Sequence, residues 1–299
     1  MNDILQTIRM GELDVLVIQH PEFTAKIVLQ GGHLIEFFTH HQPKNWLWYS
    51  QAVVFKKDIA IRGGVPICFP LFGNLVDNPT QVQATFGQGL TKHGVARTTV
   101  WQLIHQTVTK DCVSVSLQWQ PPLAFSEQYP LINLQAILVF EFSQNGFDIT
   151  LESHNLGDQT LCFSQALHTY LPTDNIHQTT IKGFDDSRYI DMLHDKSKPL
   201  TQIGDIIFTQ EVDRIYQSSP TITLATPHHQ TTLIAENSLS TVIWNPWIDK
   251  SKTLDQFLPN DFEKMVCIET ANAGNDFVTL APRQKHRLTM SISKLGLLN

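Results

Sequence analysis

With 299 residues, 42% of them hydrophobic and 16% charged, the chain is long enough to bury a full core and too apolar to be disordered. A formal net charge of −7 without any run of Lys or Arg gives no electrostatic footprint for a nucleic-acid partner. No apolar stretch approaches bilayer length, and Asp3, Arg9, Glu12 and Asp14 stand where an export signal would be continuously apolar; no membrane partner and a cytoplasmic address are expected.

Strand signals then run from end to end. They are 14–19 (DVLVIQ), 24–29 (TAKIVL), 112–119 (CVSVSLQW), 134–142 (LQAILVFEF), 147–153 (FDITLES), 160–171 (TLCFSQALHTYL), 240–245 (STVIWN) and 287–295 (RLTMSISKL). Each is rich in β-branched or aromatic residues, often alternating, and bounded by Gly, Asn, Asp or Pro. SQNGFD at 143–148 reads as the turn between two of them. No segment carries a long, capped helical period, and only 259–265 (PNDFEKM) predicts a short helical turn. The polar stretch 172–205 reads as long turns and edge hairpins. Without a linker, repeat or break in composition, residues 1–299 are expected to form one large, all-β, antiparallel sandwich.

The four cysteines, Cys68, Cys112, Cys162 and Cys267, are far apart in apolar segments and read as reduced core residues. Thirteen histidines raise the question of a metal, but neither HExxH nor HxH with a downstream carboxylate occurs. The pairs His40, His41 and His228, His229 lie in polar, loop-like surroundings where strand geometry would turn neighbours apart. No metal and no cofactor are expected.

Chemistry is better sought where titratable groups sit in apolar, glycine-bearing settings. In AIRGGVPICFPLFG (60–73) Arg62 stands among glycines, prolines and an apolar run, and a guanidinium there calls for an anion. KHGVAR adds His93 and Arg97, SQALHTYL adds His168, and VCIETANA adds Glu269. A partly desolvated carboxylate and imidazole can serve as general base and general acid near neutrality. Two guanidinium forks without an acidic neighbour fit a phosphate or carboxylate ligand; structural salt bridges with Asp58 or Asp213 would explain them equally well.

These motifs, with EVDRIY and VIWNPW, occur in the order found in the hexose-6-phosphate mutarotases of the aldose 1-epimerase superfamily. The chain resembles that family from about residue 34 to residue 288. The resemblance implies a large β-sandwich of the galactose mutarotase type and interconversion of the α and β anomers of a hexose 6-phosphate without metal or organic cofactor. It implies catalytic roles for His168 and Glu269, a second active-site histidine in His93, phosphate contacts from Arg62 and Arg97, and a sugar contact from Asp213. Leu71, Val95 and Leu171 depart from the family pattern. Leu71 stands where an aromatic residue is usual, and the other two read as adjustments of core volume.

On this reading Glu269 takes the proton of the anomeric hydroxyl while protonated His168 supplies one to the ring oxygen, with His93 steadying charge. Arg62 and Arg97, remote from the reacting carbon, are expected to act through binding and orientation. Competing readings are a mutarotase of unphosphorylated aldoses, a non-catalytic carbohydrate-binding module, and a metal-dependent isomerase using His93, His168 and Glu269. Apart from the phosphosugar no partner is implied, and a monomer is expected.

Overall fold

The computed structural model describes residues 4–295. Two large antiparallel sheets dominate it. One has nine strands in the order Ile206–Ile207, Thr180–Lys182, Ile222–Ala225, Gln230–Glu236, Lys285–Leu295, Gly146–Asn155, Leu134–Ser143, Cys112–Trp119, Gln102–Val108. Its middle is built from strict alternation: Leu134, Ala136, Leu138, Phe140 and Phe142 are buried on one face of their strand, matched by Val113, Val115, Leu117 and Trp119 on the next. A period of two places these residues on one side of the pleat, where they form a core.

The second sheet runs Leu200–Thr201, Arg188–Asp191, Val212–Tyr216, Ser240–Asn245, Met265–Asn272, Gln165–Leu167, Ile67–Cys68, with Tyr170–Pro172 also pairing on Met265–Asn272. Two of its strands, Ser240–Asn245 and Met265–Asn272, are buried along their whole length. One face of the sheet joins the main core and the other floors a cleft. An N-terminal meander, Leu5–Met10, Leu13–Gln19, Phe23–Val28 and His33–Thr39, and a two-stranded pair, Leu161–Phe163 with Val278–Leu280, complete the strands. The architecture is the large, all-β, antiparallel sandwich that the strand pattern predicts.

The apparent single strand 160–171 is three: Leu161–Phe163, Gln165–Leu167 and Tyr170–Pro172. The segment leaves Val278–Leu280 for Met265–Asn272 and Ile67–Cys68, and changing partners breaks the ladder. At the second break the Thr169 amide bonds to the Leu167 carbonyl and the His168 amide to the Pro66 carbonyl. The helical turn at 259–265 is a 3-10 turn, Asp261–Lys264. Three short α-helices, Thr80–Phe86, Leu123–Gln128 and Trp247–Ser251, are too short to show a period.

The expectation for the cysteines holds for two of four. All are free, but Cys112 is exposed and Cys162 only partly buried, whereas Cys68 and Cys267 are enclosed. Cys112 begins its strand on the outward face, and the alternation that buries Val113 and Val115 leaves it exposed. Among the described residues no helix is long and apolar enough to cross a membrane.

Candidate active site

Three adjacent strands set the floor of the cleft by register. Ile215 pairs with Val242, which pairs with Glu269; one row along, Asp213 pairs with Trp244, which pairs with Cys267. Residues two apart share a face, so Asp213, Ile215, Val242, Trp244 and Glu269 line a single cleft of about 450 Å³. His168, Tyr170, His93, Phe72, Arg62 and Arg97 enclose it from the sides. All six residues expected at the site therefore meet in one place.

His168 occupies the break between two short strands, where its side chain is freed from the pleat and enters the cleft. Its Nε2 lies 3.4 Å from Glu269 Oε1, and its ring stacks on Tyr170 at 5.0 Å and meets Trp244 edge-on at 6.3 Å. Glu269 is 1% exposed. Its Oε2 and the Nδ1 of His168 have no protein hydrogen-bond partner, unusual for buried polar atoms and a mark of a site rather than of packing.

Burial dominates the protonation of both groups. It lowers His168 to about 3, helped by the fields of Arg62, Arg97 and Lys92. It raises Glu269 well above the usual carboxylate range, with Asp213 adding to the rise. Desolvation thus acts against the charged form of both groups, the carboxylate of Glu269 and the imidazolium of His168.

His93 is fixed by its backbone and by two donors. His93 and Gly94 both adopt positive φ, 64° and 69°, and a Cβ at Gly94 would come within 2.2 Å of the Phe69 carbonyl oxygen. Only glycine allows that approach. The His93 amide donates to the Gly73 carbonyl at 2.9 Å, and the Gly73 amide donates back to His93 Nδ1 at 3.2 Å. Cys68 Sγ is 3.3 Å from the same nitrogen, and burial keeps that thiol protonated. With Nδ1 accepting, the ring proton resides on Nε2. Burial also holds His93 well below the ordinary histidine range, so it is a neutral donor 5.5 Å, ring to ring, from His168.

Arg62 sits on the turn before Gly63, where a Cβ would strike Tyr49 Cα at 2.2 Å. Its Nε donates to the Asp255 carbonyl at 3.3 Å, and Arg97 Nη2 donates to the Lys92 carbonyl at 2.9 Å. Neither forms a salt bridge with Asp58, Asp213 or any other carboxylate among the described residues. Asp213 is likewise free of both; its neighbour Arg214 lies on the opposite face, over the Tyr189 ring and against Gln202.

Sequence reasoning missed Lys92, Tyr170 and Trp244. Lys92 precedes His93 and lines the cleft with no carboxylate partner among the described residues, whereas the other two lysines there are neutralised, Lys196 by Asp77 and Lys250 by Glu211, at 2.6 Å each. The signal for Tyr170 was its spacing of two from His168; for Trp244 it was alternation with Val242. Leu71, by contrast, is fully buried in the core, and the aromatic wall beside His93 is Phe72, edge-on at 5.3 Å. Leu171 is also core, and Val95 packs against it.

One trio could hold a metal ion: ligand atoms of His168, Cys267 and Glu269 lie within 4.8 Å of one another. Burial raises the Cys267 thiol well above its ordinary range, so a cation would have to displace a firmly held proton. His93, which the competing metal-dependent reading would have used, is not part of it.

Comparison with known proteins bears on this arrangement. The family model described as aldose 1-epimerase matches residues 14–293. The chain is 29% identical over 276 residues to a protein of Escherichia coli (strain K12) provisionally named glucose-6-phosphate 1-epimerase, covering 91% of this chain and 88% of that protein. A plant protein of the same provisional name, from Cenchrus ciliaris, is 28% identical, covering 90% and 80%. Among solved structures, a provisionally named mutarotase from Salmonella typhimurium superposes with a TM-score of 0.86 at 27% identity, covering 99% of this chain and 95% of that one. A galactose 1-epimerase from Lactobacillus acidophilus NCFM shares the fold at a TM-score of 0.68 and 14% identity, covering 97% and 98%.

Proposed function

The chain belongs to the aldose 1-epimerase family, and from that premise we propose that it interconverts the α and β anomers of a hexose 6-phosphate, with glucose 6-phosphate the first candidate. The observation that carries the reading is one cleft holding both the His168–Glu269 pair and three cations, Arg62, Lys92 and Arg97, that have no carboxylate partner among the described residues. A sugar without an anionic group would leave those charges unanswered. The names given to the Escherichia coli and Cenchrus ciliaris relatives point the same way.

Anomer exchange requires the O1 proton to leave and a proton to reach the ring oxygen O5. The C1–O5 bond breaks as the C1 carbonyl forms, C1 rotates about the C1–C2 bond, and the hydroxyl closes on the other carbonyl face. Glu269 as carboxylate takes the O1 proton, and His168 as imidazolium delivers one to O5; the roles exchange on closure. The two groups lie 3.4 Å apart, close enough to exchange a proton directly. His93, donating from Nε2, steadies negative charge on O1 or O5. Asp213 accepts from a sugar hydroxyl, and Trp244 and Phe72 supply apolar walls for the ring. Positioned acid and base groups each contribute on the order of 10²–10⁴ in rate, enough for a reaction that also proceeds in water.

No metal enters this scheme, and the protein acts as a monomer of one sandwich domain. Phosphorylated sugars are cytoplasmic metabolites, and the reading places the enzyme with them. The test is anomer exchange of glucose 6-phosphate followed by NMR with a chelator present, glucose and galactose run in parallel, and His168→Ala as control. Acceleration of the phosphate ester, lost in the variant, is expected. Acceleration of free sugars alone would return the arginines to a structural role. Loss of activity to the chelator would bring in the His168–Cys267–Glu269 trio.

A further inference from the structure

The cations of the cleft divide into two classes. Lys196 and Lys250 are each bound to a carboxylate at 2.6 Å, so their charge is cancelled within the protein. Arg62, Lys92 and Arg97 have carbonyl contacts or none, so their charge is left standing in the same cleft as His168 and Glu269. An uncompensated cluster beside a buried acid–base pair acts on the pair's proton as well as on a ligand.

Resting on the reading above, we propose that the substrate phosphate activates the His168–Glu269 pair by neutralising Arg62, Lys92 and Arg97, so that a free dianion in the cleft switches on turnover of a sugar lacking a phosphate. The arginines would then govern kcat as well as KM, beyond the binding role that their distance from the reacting carbon suggests.

The direction follows from which group feels which charge. Arg62, Arg97 and Lys92 all disfavour a proton on His168, whereas of these three only Lys92 acts on Glu269. Arg62 also lies beside the Tyr170 hydroxyl, and Tyr170 is stacked on His168. A dianion that cancels the cluster therefore favours the proton on His168 more than on Glu269. It draws the pair toward imidazolium and carboxylate, the state that opens the ring. Of the other charged groups facing the pair, Asp213 opposes the shift, since it adds to the rise at Glu269, but it does so with and without the dianion; Asp77 and Glu211 are engaged by their lysines.

The experiment measures enzyme-dependent anomer exchange of glucose with and without phosphite, an inert dianion, after subtracting the buffer-catalysed rate at each concentration. Phosphite should raise the rate saturably by about tenfold or more, the effect of one pK unit on the proton's position. It should inhibit glucose 6-phosphate exchange competitively, and in Arg97→Ala and in Lys92→Met the glucose rate without phosphite should itself rise while the increment that phosphite adds shrinks. In protein with 15N-labelled histidine, phosphite should move the His168 resonances toward imidazolium. Phosphite that only inhibits, or Arg97→Ala and Lys92→Met enzymes whose glucose exchange without phosphite is no faster than that of the unmodified enzyme although a cation is gone, would overturn the proposal while leaving the phosphosugar mutarotase intact. Absence of glucose 6-phosphate exchange in the unmodified enzyme would instead remove the reading beneath it.

Discussion

The two large sheets use the same strand physics to different ends. In the nine-stranded sheet, ladders such as Leu134–Ser143 with Gly146–Asn155 run unbroken for ten pairs, and alternation sends apolar side chains inward with Phe140 and Phe142 stacked on one face. The cleft sheet is made of strands of two to eight residues, buries Glu269 in mid-strand and breaks its ladder at His168. Continuous pairing satisfies every backbone group and leaves packing to decide stability. A broken ladder frees a side chain from the pleat, and there the molecule holds polar groups that packing alone would exclude. Substitutions in the first sheet should therefore cost folding free energy, and substitutions in the second should cost rate.

The largest effect that sharpens this contrast is Glu269→Gln. Glutamine keeps the volume and can occupy the same pocket but cannot exchange a proton at that position, so turnover should fall by about 10²–10⁴. Far-UV circular dichroism and binding of the sugar phosphate should be retained. Exchange within a few-fold of the unmodified enzyme, measured by NMR, would take Glu269 out of the mechanism.

How far the sequence foretold these two sheets differs for the same reason. The long strands are legible because each is a local pattern, as at Leu134 to Phe142, where alternation alone names the buried face. The cleft sheet is legible in its chemistry rather than its geometry. Arg62, His93, Arg97, His168, Asp213 and Glu269 stand out as charged groups in apolar settings, and family resemblance orders them. The break at His168 does not stand out, because residues 160–171 are apolar throughout and partner exchange is a long-range event. Lys92 was overlooked because an exposed lysine is ordinary until its lack of a carboxylate is seen. The depth of Glu269, 1% exposed, and the upward shift that burial gives its carboxyl cannot be read from its neighbours in sequence.

Phe140→Ala tests the other side. Phe140 is fully buried and stacks on Phe142 with ring centroids 6.0 Å apart, so removing the ring should cost about 3–5 kcal/mol of stability through lost burial and a residual cavity. The urea midpoint should drop while kcat of the folded enzyme stays within about twofold, since no cleft residue belongs to that strand. A comparable loss of kcat in native conditions would show that the two sheets are coupled more tightly than their separate roles imply.

The smallest effect concerns a histidine that, like His168, is held below its ordinary range but lies wholly inside the protein, away from the cleft. His33 is 1% exposed, and its Nε2 lies 2.6 Å from the Gly63 carbonyl, tying the first residue of the strand His33–Thr39 to the Arg62 turn. Burial lowers it to about 4, opposed by that hydrogen bond. The folded protein thus keeps His33 neutral where the unfolded chain, titrating near the ordinary value, binds a proton. Stability from this group is complete above the unfolded pKa and is lost as pH falls toward the folded one. Between pH of about 7.5 and about 5 the loss is about 2 kcal/mol. His168, lowered to about 3, and His229, lowered to about 4, add losses of the same sign, so the measurement must compare urea midpoints of the unmodified protein and His33→Gln at both pH values. Glutamine can still donate to the Gly63 carbonyl but cannot titrate. The variant should show a pH dependence about 2 kcal/mol flatter, with exchange activity at neutral pH preserved. An unchanged pH dependence would mean that His33 is reached by solvent protons in the folded state and that the wall behind Arg62 is less closed than its packing indicates.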